Sequence, residues 1–353
     1  MSTYLTQKVI NAIENFKMPE QVGFGTTLSP VMFESTYRNN EWSELKSLPY
    51  GPIEIHPTAK VFHYGQEIFE GLKAYISEDN RALLFRPEQN ARRFNHSARR
   101  MAMPEIPEEI FLTACREITK LSKNFIPKES GSSLYIRPFM FATESTLGIR
   151  PSTEFKFMVL ASPSGSYFST GGLNVFIERH AVRACPGGVG TAKTGGNYAA
   201  SLLSSKKAIA HNCQQTLWLD ALEHQKIEEM SGMNFMCVRN NKIETPQLTD
   251  TILSGITRAS VLELAKRIDI EAIEKTIHIN DLIDGIKSGE ITEAFACGTA
   301  AIITPIEKLV EETGEEFNLE NNENSLALKL RRHLLNIQEG REPGPENWSQ
   351  VVD

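Results

Sequence analysis

The run Gly190-Thr191-Ala192-Lys193-Thr194-Gly195-Gly196-Asn197-Tyr198 holds the residue types most open to chemistry in this chain. Glycines on both sides of the lysine let the backbone pass close to a bulky group. From Tyr198 onward the residues read as a helix. A helix start turns unpaired N–H groups and a partial positive charge toward any anion nearby. A lysine that is desolvated, or set beside another cation, loses its proton and can attack a carbonyl carbon. Taken alone, the run is equally a surface lysine in a turn that opens a helix.

Six further segments carry unusual combinations. Asn90-Ala-Arg-Arg-Phe-Asn-His-Ser-Ala-Arg-Arg puts four arginines on one predicted helix. Such a run is either a solvated face or a fork for phosphate oxygens. Phe62-His-Tyr-Gly-Gln-Glu-Ile-Phe-Glu-Gly71 sets Tyr64 and Phe69 between glycines that suit close backbone placement. In Leu134-Tyr-Ile-Arg-Pro138, Arg137 lies in an apolar strand and needs an anionic partner, either an internal carboxylate or a substrate carboxylate. Lys226-Ile-Glu-Glu-Met-Ser-Gly-Met-Asn-Phe-Met carries two acids before a glycine. If buried, one of them needs a cation such as a protonated ring nitrogen. Leu253-Ser-Gly-Ile-Thr-Arg258 and Ala296-Cys-Gly-Thr-Ala-Ala301 each place glycine near threonine, the first at a predicted helix start. There is no P-loop and no G-x-G-x-x-G fingerprint. His63 and His96 lack the spacing of metal ligands, and no metal site is expected. One poised lysine, phosphate-binding turns with an arginine, one acid for a ring nitrogen and one tyrosine for a ring oxygen are the groups that pyridoxal phosphate needs.

The elements that must position these residues fall into two halves, as 353 residues predict. The first opens with a short amphipathic helix at 8–17. Strand-like pieces follow at Val31–Glu34, Pro52–Ile55, Lys60–Tyr64, Phe69–Tyr75 and Arg81–Phe85. Helices are predicted from Pro87 to Met101 and from Pro107 to about Phe125, then strands at 133–141 and 154–161. The Ser-, Gly- and Pro-rich 162–172 reads as a linker. The expected organisation is therefore a small α+β domain at 1–161, the linker, and a large mixed α/β domain at 173–353 carrying the lysine. In the second half the pattern predicts strands at 173–180, 215–220 and 291–296. It also predicts a hairpin from Lys226–Val238 to Lys242–Thr245 turned at Asn240-Asn241, and helices from Thr257, at 280–287 and over Ser325–Ile337. With 41% hydrophobic and 23% charged residues the chain has a soluble globular composition. The net charge of -7 gives no case for nucleic acid or an anionic membrane surface, and no apolar stretch or signal peptide is evident. A cytoplasmic location is expected. The five cysteines form no C-x-x-C pair and read as small buried hydrophobes.

In that order of motifs the chain resembles the branched-chain amino-acid aminotransferases, of the fold type IV pyridoxal-phosphate enzymes shared with D-amino-acid aminotransferase and aminodeoxychorismate lyase. The resemblance runs from about Phe33 to the C-terminal helix. Lys193-Thr-Gly-Gly-Asn-Tyr198 looks like the lysine motif, Glu229-Met-Ser-Gly-Met-Asn-Phe235 the glutamate motif, Ser254-Gly-Ile-Thr-Arg258 the phosphate turn and Gly298-Thr-Ala300 the substrate turn. The resemblance implies that Lys193 binds the cofactor covalently and shuttles a proton. Glu229, rather than Glu228, would pair with the pyridinium nitrogen, and Tyr198 with the ring hydroxyl. Arg93, rather than Arg92, would hold the phosphate with Ile256, Thr257 and Thr299. Thr299 and Ala300 would hold the substrate α-carboxylate. Tyr64, Phe69 and Tyr135 would line the side-chain pocket, and Arg137 would meet the distal carboxylate of glutamate or 2-oxoglutarate.

An apolar wall with an arginine at its far edge accepts both aliphatic and acidic side chains, and leucine, isoleucine and valine differ too little to be separated strongly. The resemblance further implies a homodimer. Some long members carry a C-x-x-C redox pair after the substrate turn; here those positions are Ala301 and Thr304, so no thiol switch is expected. The alternatives are a D-amino-acid aminotransferase or lyase on the same scaffold, which Arg137 and the length disfavour, and a non-catalytic cofactor-binding protein.

Overall fold

The computed structural model describes residues 3–165, 171–320 and 322–352. The chain divides into two compact units. One comprises Met1–Tyr167, Ala192–Gly195 and Asn336–Asp353, the other Phe168–Thr191 and Gly196–Leu335. This partition differs from a single cut in the expected linker at two places. The four residues around Lys193, and the stretch from Asn336 on, group with the first unit. Residues 166–170 of that linker lie outside the described residues.

The first unit runs α1 (Gln7–Asn15), β1 (Val31–Arg38), β2 (Glu41–Trp42), β3 (Lys46–Pro49), α2 (Lys60–Tyr64), β4 (Glu67–Phe69), β5 (Leu72–Ile76), β6 (Ala82–Phe85), α3 (Pro87–Arg100), α4 (Glu108–Ser122), β7 (Ser133–Ala142) and β8 (Phe155–Ser164). The chain continues as β9 (Leu173–Glu178), α5 (Gly195–Ala210), β10 (Gln215–Leu219), β11 (Ile227–Met230), β12 (Asn234–Arg239), β13 (Lys242–Pro246), α6 (Ile256–Arg267), β14 (Ala272–Lys275), α7 (Ile279–Ser288), β15 (Ile291–Gly298), β16 (Ile302–Val310), β17 (Glu316–Asn318) and α8 (Leu326–Gln338). Finally β18 (Ser349–Val352) returns to the first sheet, pairing with β6.

Among the described residues the first sheet is antiparallel throughout, in the order β18-β6-β5-β7-β8-β1-β2, with β3 on β1 and β4 on β7. Alternation along β4 and β7 splits its side chains between two faces. Ile68, Leu134, Ile136, Met140 and Ala142 enter the main core. There Phe94 of α3, Phe111 of α4 and Phe157 of β8 meet with ring centroids 5.3–6.0 Å apart. Register puts Glu67, Phe69, Tyr135, Arg137, Phe139 and Phe141 on the opposite face. Proline at its first position starts α3, as the sequence predicts. Its Ala91, Phe94 and Ala98 stripe is buried, and the 90–93–97 stripe beside it carries Asn90, Arg93 and Ser97.

The second unit holds a mixed sheet in the order β11-β10-β9-β16-β15-β12-β13-β14, with β17 on β16. The fold class is thus mixed α and β, as expected. Asn240 and Asn241 both take positive φ, 50° and 62°, the geometry of a tight two-residue hairpin turn between β12 and β13.

Several local expectations change. Pro52–Ile55 forms no strand, being largely exposed and unpaired with any described strand. Lys60–Tyr64 is the helix α2 rather than a strand. Its Lys60 amine is buried against Arg150 O (2.9 Å) and Glu144 (3.2 Å), and Gly65 closes the turn with φ of 59°. These tertiary contacts override the strand propensity of Val61, Phe62 and Tyr64. The long strand at 226–238 is interrupted at Ser231-Gly232, where Gly232 takes φ of 79°. Of the cysteines, Cys115, Cys213, Cys237 and Cys297 are buried free thiols, but Cys185 is exposed, in a loop rather than a core.

Candidate active site

In the first unit the structure gathers Lys193, Phe69, Arg137 and Tyr135. The Lys193 backbone is fixed at both ends. Its N–H donates to Ser97 Oγ at 3.0 Å, and its carbonyl accepts from Phe69 N–H at 2.9 Å. Its Nζ stands 4.7 Å from the centroid of the Phe69 ring. The Arg137 Cζ lies at the same distance from that ring and 5.3 Å from the ring of Tyr135, whose hydroxyl accepts from Arg137 Nη2 at 3.0 Å. Among the described residues no carboxylate forms an ion pair with Arg137, and its Nε is buried without a hydrogen-bond partner. The internal-carboxylate reading of this arginine therefore has no direct ion pair behind it, although the Glu67 carboxylate feels its charge. Gly71 makes room for Tyr135: a Cβ there would fall onto the Tyr135 hydroxyl.

Arg93 faces Glu70, a carboxylate with no exposed surface. Arg93 Nε donates to Oε1 at 2.6 Å and Nη2 to Oε2 at 2.9 Å. Asn90 Nδ2 and the Gly71 N–H add bonds of 2.7 and 3.0 Å to Oε2. Burial alone would raise the Glu70 carboxyl, but the charge and hydrogen bonds of Arg93, the Lys193 charge and the Asn90 bond together hold it below its ordinary value. Tyr64 stands apart. It is 42% exposed on α2, and its hydroxyl donates to Leu147 O.

The second unit gathers the other named residues around the β11–β12 turn. Glu229, on β11 and buried, pairs with Arg183 Nη2 at 2.7 Å and accepts from Asn234 Nδ2 at 3.2 Å and Leu253 N–H at 3.5 Å. Asn234 Nδ2 also donates to Leu253 O at 3.0 Å, and its Oδ1 occupies the place a Cβ on Gly255 would need. Gly255 caps α6, so this packing ties Glu229 to the helix start that carries Ile256 and the buried Thr257. A methyl on Gly232 would stand 3.7 Å from the Tyr198 ring, and one on Gly298 would stand 3.5 Å from Gly232 O. Tyr198 and the Gly298-Thr299-Ala300 turn thus border the same loop. That turn ends at Ile302, whose φ of 63° is a strained conformation for a branched side chain, about 1–3 kcal/mol. Glu228 alternates away from Glu229. Thr251 donates to it at 2.5 Å, and burial pushes its carboxyl up against the pull of that bond and of Arg183.

Sequence reasoning missed Glu70, Ser97, Arg183 and Asn234. Glu70, Ser97 and Arg183 act through partners distant in sequence, whereas Asn234 reaches Glu229 five residues before it and also Leu253. The one available signal is the i, i+3, i+7 stripe of Asn90, Arg93 and Ser97.

The donor set fits a phosphorylated pyridine aldehyde: an amine beside an apolar ring, a buried carboxylate held by a cation, a phenol, and a glycine-capped helix start with a buried threonine. Among the described residues no group of three or more His, Cys, Asp or Glu could hold a metal ion. No helix there is long and apolar enough to cross a membrane.

A sequence profile of the amino-transferase class IV family matches residues 67–309. The branched-chain-amino-acid transaminase 1 of Bacillus subtilis is 43% identical over 338 residues, covering 95% of each chain. The branched-chain-amino-acid aminotransferase of Mycolicibacterium smegmatis is 43% identical over 334 residues, covering 92% of this chain and 91% of its own. The crystal structure of a T.th. branched-chain amino acid aminotransferase complexed with N-(5'-phosphopyridoxyl)-L-glutamate superposes with a TM-score of 0.73 at 26% identity, over 90% of this chain and 98% of that one.

Proposed function

Because the chain belongs to the class IV aminotransferases, and within them to the branched-chain amino-acid aminotransferases, we propose that it moves the amino group of L-leucine, L-isoleucine or L-valine to 2-oxoglutarate. The products are the branched-chain 2-oxo acid and L-glutamate, formed in a ping-pong cycle with pyridoxal 5'-phosphate. The observation that carries the reading is the Phe69 ring, which the Lys193 amine and the Arg137 guanidinium both face at 4.7 Å. An amine for the reacting end and a cation for a distal carboxylate thus share one apolar surface.

When bound, pyridoxal phosphate supplies an electron sink that makes the substrate Cα–H acidic. Lys193 would hold the cofactor through its ε-amino group and, once released, would move the proton at the substrate α-carbon. The hydrogen bonds to Ser97 and from Phe69 fix the backbone that carries that amine. Glu229, held by Arg183, would pair with the ring nitrogen. Tyr198 bonds the ring oxygen. Arg93, Ile256, Thr257 and Thr299 take the phosphate, with Glu70 orienting the Arg93 fork. Backbone groups of Thr299 and Ala300 would hold the α-carboxylate, Phe69 and Tyr135 the side chain, and Arg137 the distal carboxylate; Tyr64, set apart on α2, would line a side-chain pocket only across the subunit interface. The protein acts in the cytoplasm as a homodimer. Phe62, Tyr64, Leu147 and Ile149, all exposed on the first unit, support a self-associating surface.

The test is the visible absorbance of protein loaded with pyridoxal phosphate, before and after L-leucine without a 2-oxo acid. The lysine-bound band is expected to convert to the pyridoxamine form with L-leucine and to stay unchanged with D-alanine. Response to D-alanine alone favours the D-amino-acid reading, and no band at all overturns the reading of Lys193. Lys193→Ala should reduce steady-state transamination below detection.

A further inference from the structure

Glu67 has no part in the roles assigned so far, yet it sits where they meet. It lies on β4, on the same sheet face as Phe69, Tyr135 and Arg137. Its Oε1 accepts from Thr194 Oγ1 at 3.2 Å and from the Gly195 N–H, the two residues after Lys193. A Cβ on Gly195 would collide with that oxygen. Its carboxylate feels the Arg137 charge, and it shares the sheet face of the Phe69 ring that Arg137 covers. Because Arg137 has no ion pair of its own, something must balance its charge when an aliphatic side chain fills the site and excludes water.

We propose that Glu67 determines specificity by supplying the counter-charge of Arg137 while an aliphatic substrate is bound, and by yielding that place to the distal carboxylate of a dicarboxylic substrate. This rests on the reading of Arg137 under the proposed function. Two anions beside one guanidinium repel, so the carboxylate of Glu67 favours leucine over glutamate. Burial pushes the Glu67 carboxyl up, against the Gly195, Thr194 and Arg137 contributions that lower it. Taking up a proton is therefore the route by which it yields.

The experiment measures equilibrium binding of two unreactive acids, glutarate and 4-methylpentanoate, to the cofactor-loaded protein by calorimetry. It compares wild type, Glu67→Gln and Glu67→Asp. Glu67→Gln keeps an oxygen for Gly195 and Thr194 but removes the charge. Its affinity ratio, glutarate over 4-methylpentanoate, is expected to rise on the order of tenfold, the equivalent of one pKa unit. Glu67→Asp keeps the charge and shortens the reach, and its ratio should stay within about twofold of wild type. A purely structural role would weaken both acids together and leave the ratio unmoved in Glu67→Gln, which overturns the proposal. If Glu67→Gln does not fold, a tenfold change of ratio in Glu67→Asp overturns it as well. Wild-type protein that takes up pyridoxal phosphate but binds neither acid overturns the parent reading together with this one.

Discussion

Glu70 shows how one buried side chain serves several others. Four hydrogen bonds converge on it, and its partner Arg93 has little exposed surface. Its folded pKa lies below the ordinary 4.5. The pair's contribution to stability is therefore complete above pH 4.5 and is lost as pH falls from 4.5 through the folded value. Glu70→Gln removes the buried charge that the Arg93 fork grips and should cost about 3–5 kcal/mol at pH 7. The gap to wild type should narrow on acidification below that window, read from urea midpoints across the pH range. A gap that persists unchanged at pH 3 would mean that packing, not charge, is lost. Arg183 and Glu229 make the analogous pair in the second unit, at 2.7 Å.

At the scale of elements, register does most of the positioning. Pairing of Lys73 with Tyr135, and of Leu72 with Ile136, brings Gly71 under the tyrosine hydroxyl that accepts from Arg137. Gly71→Ala should displace Tyr135 and, through it, Arg137. The expected result is a rise of about tenfold in KM for 2-oxoglutarate, with about 1–3 kcal/mol of lost stability from overpacking. Steady-state kinetics and thermal melting check both. Much of this is readable from the residues alone. Pro87 announces α3, the Asn240-Asn241 pair announces its hairpin, and the residues around Lys193, Glu229 and Thr257 stand out because their chemistry allows few substitutes. What stays hidden has physical causes. β16 contains Pro305, which demotes a strand in any sequence pattern, yet it pairs with β15 and β9. α2 is set by the tertiary contacts of its buried Lys60 amine rather than by local propensity. Glu70, Arg183 and Glu67 are defined by partners far along the chain, which spacing cannot supply.

For the whole molecule, the thiols give a simple check on packing. Burial pushes Cys213 up to about 11 and Cys237 and Cys297 up to about 12, and raises Cys115 further, while Cys185 is exposed. An aromatic disulfide reagent should react with one thiol in the native protein and with five after unfolding. Two or more fast native thiols would contradict the burial described. The division of the chain has a consequence for how the protein is made. A nascent chain that has left the ribosome only as far as residue 191 carries Ser97 and Phe69, the partners that fix the lysine backbone, but not the lysine itself. Even once Lys193 has emerged, β6 still awaits β18, its neighbour at the sheet edge. The first unit therefore cannot finish folding before residues 349–352 have emerged, and the edge of β6 stays open to chaperones or to other nascent chains until then.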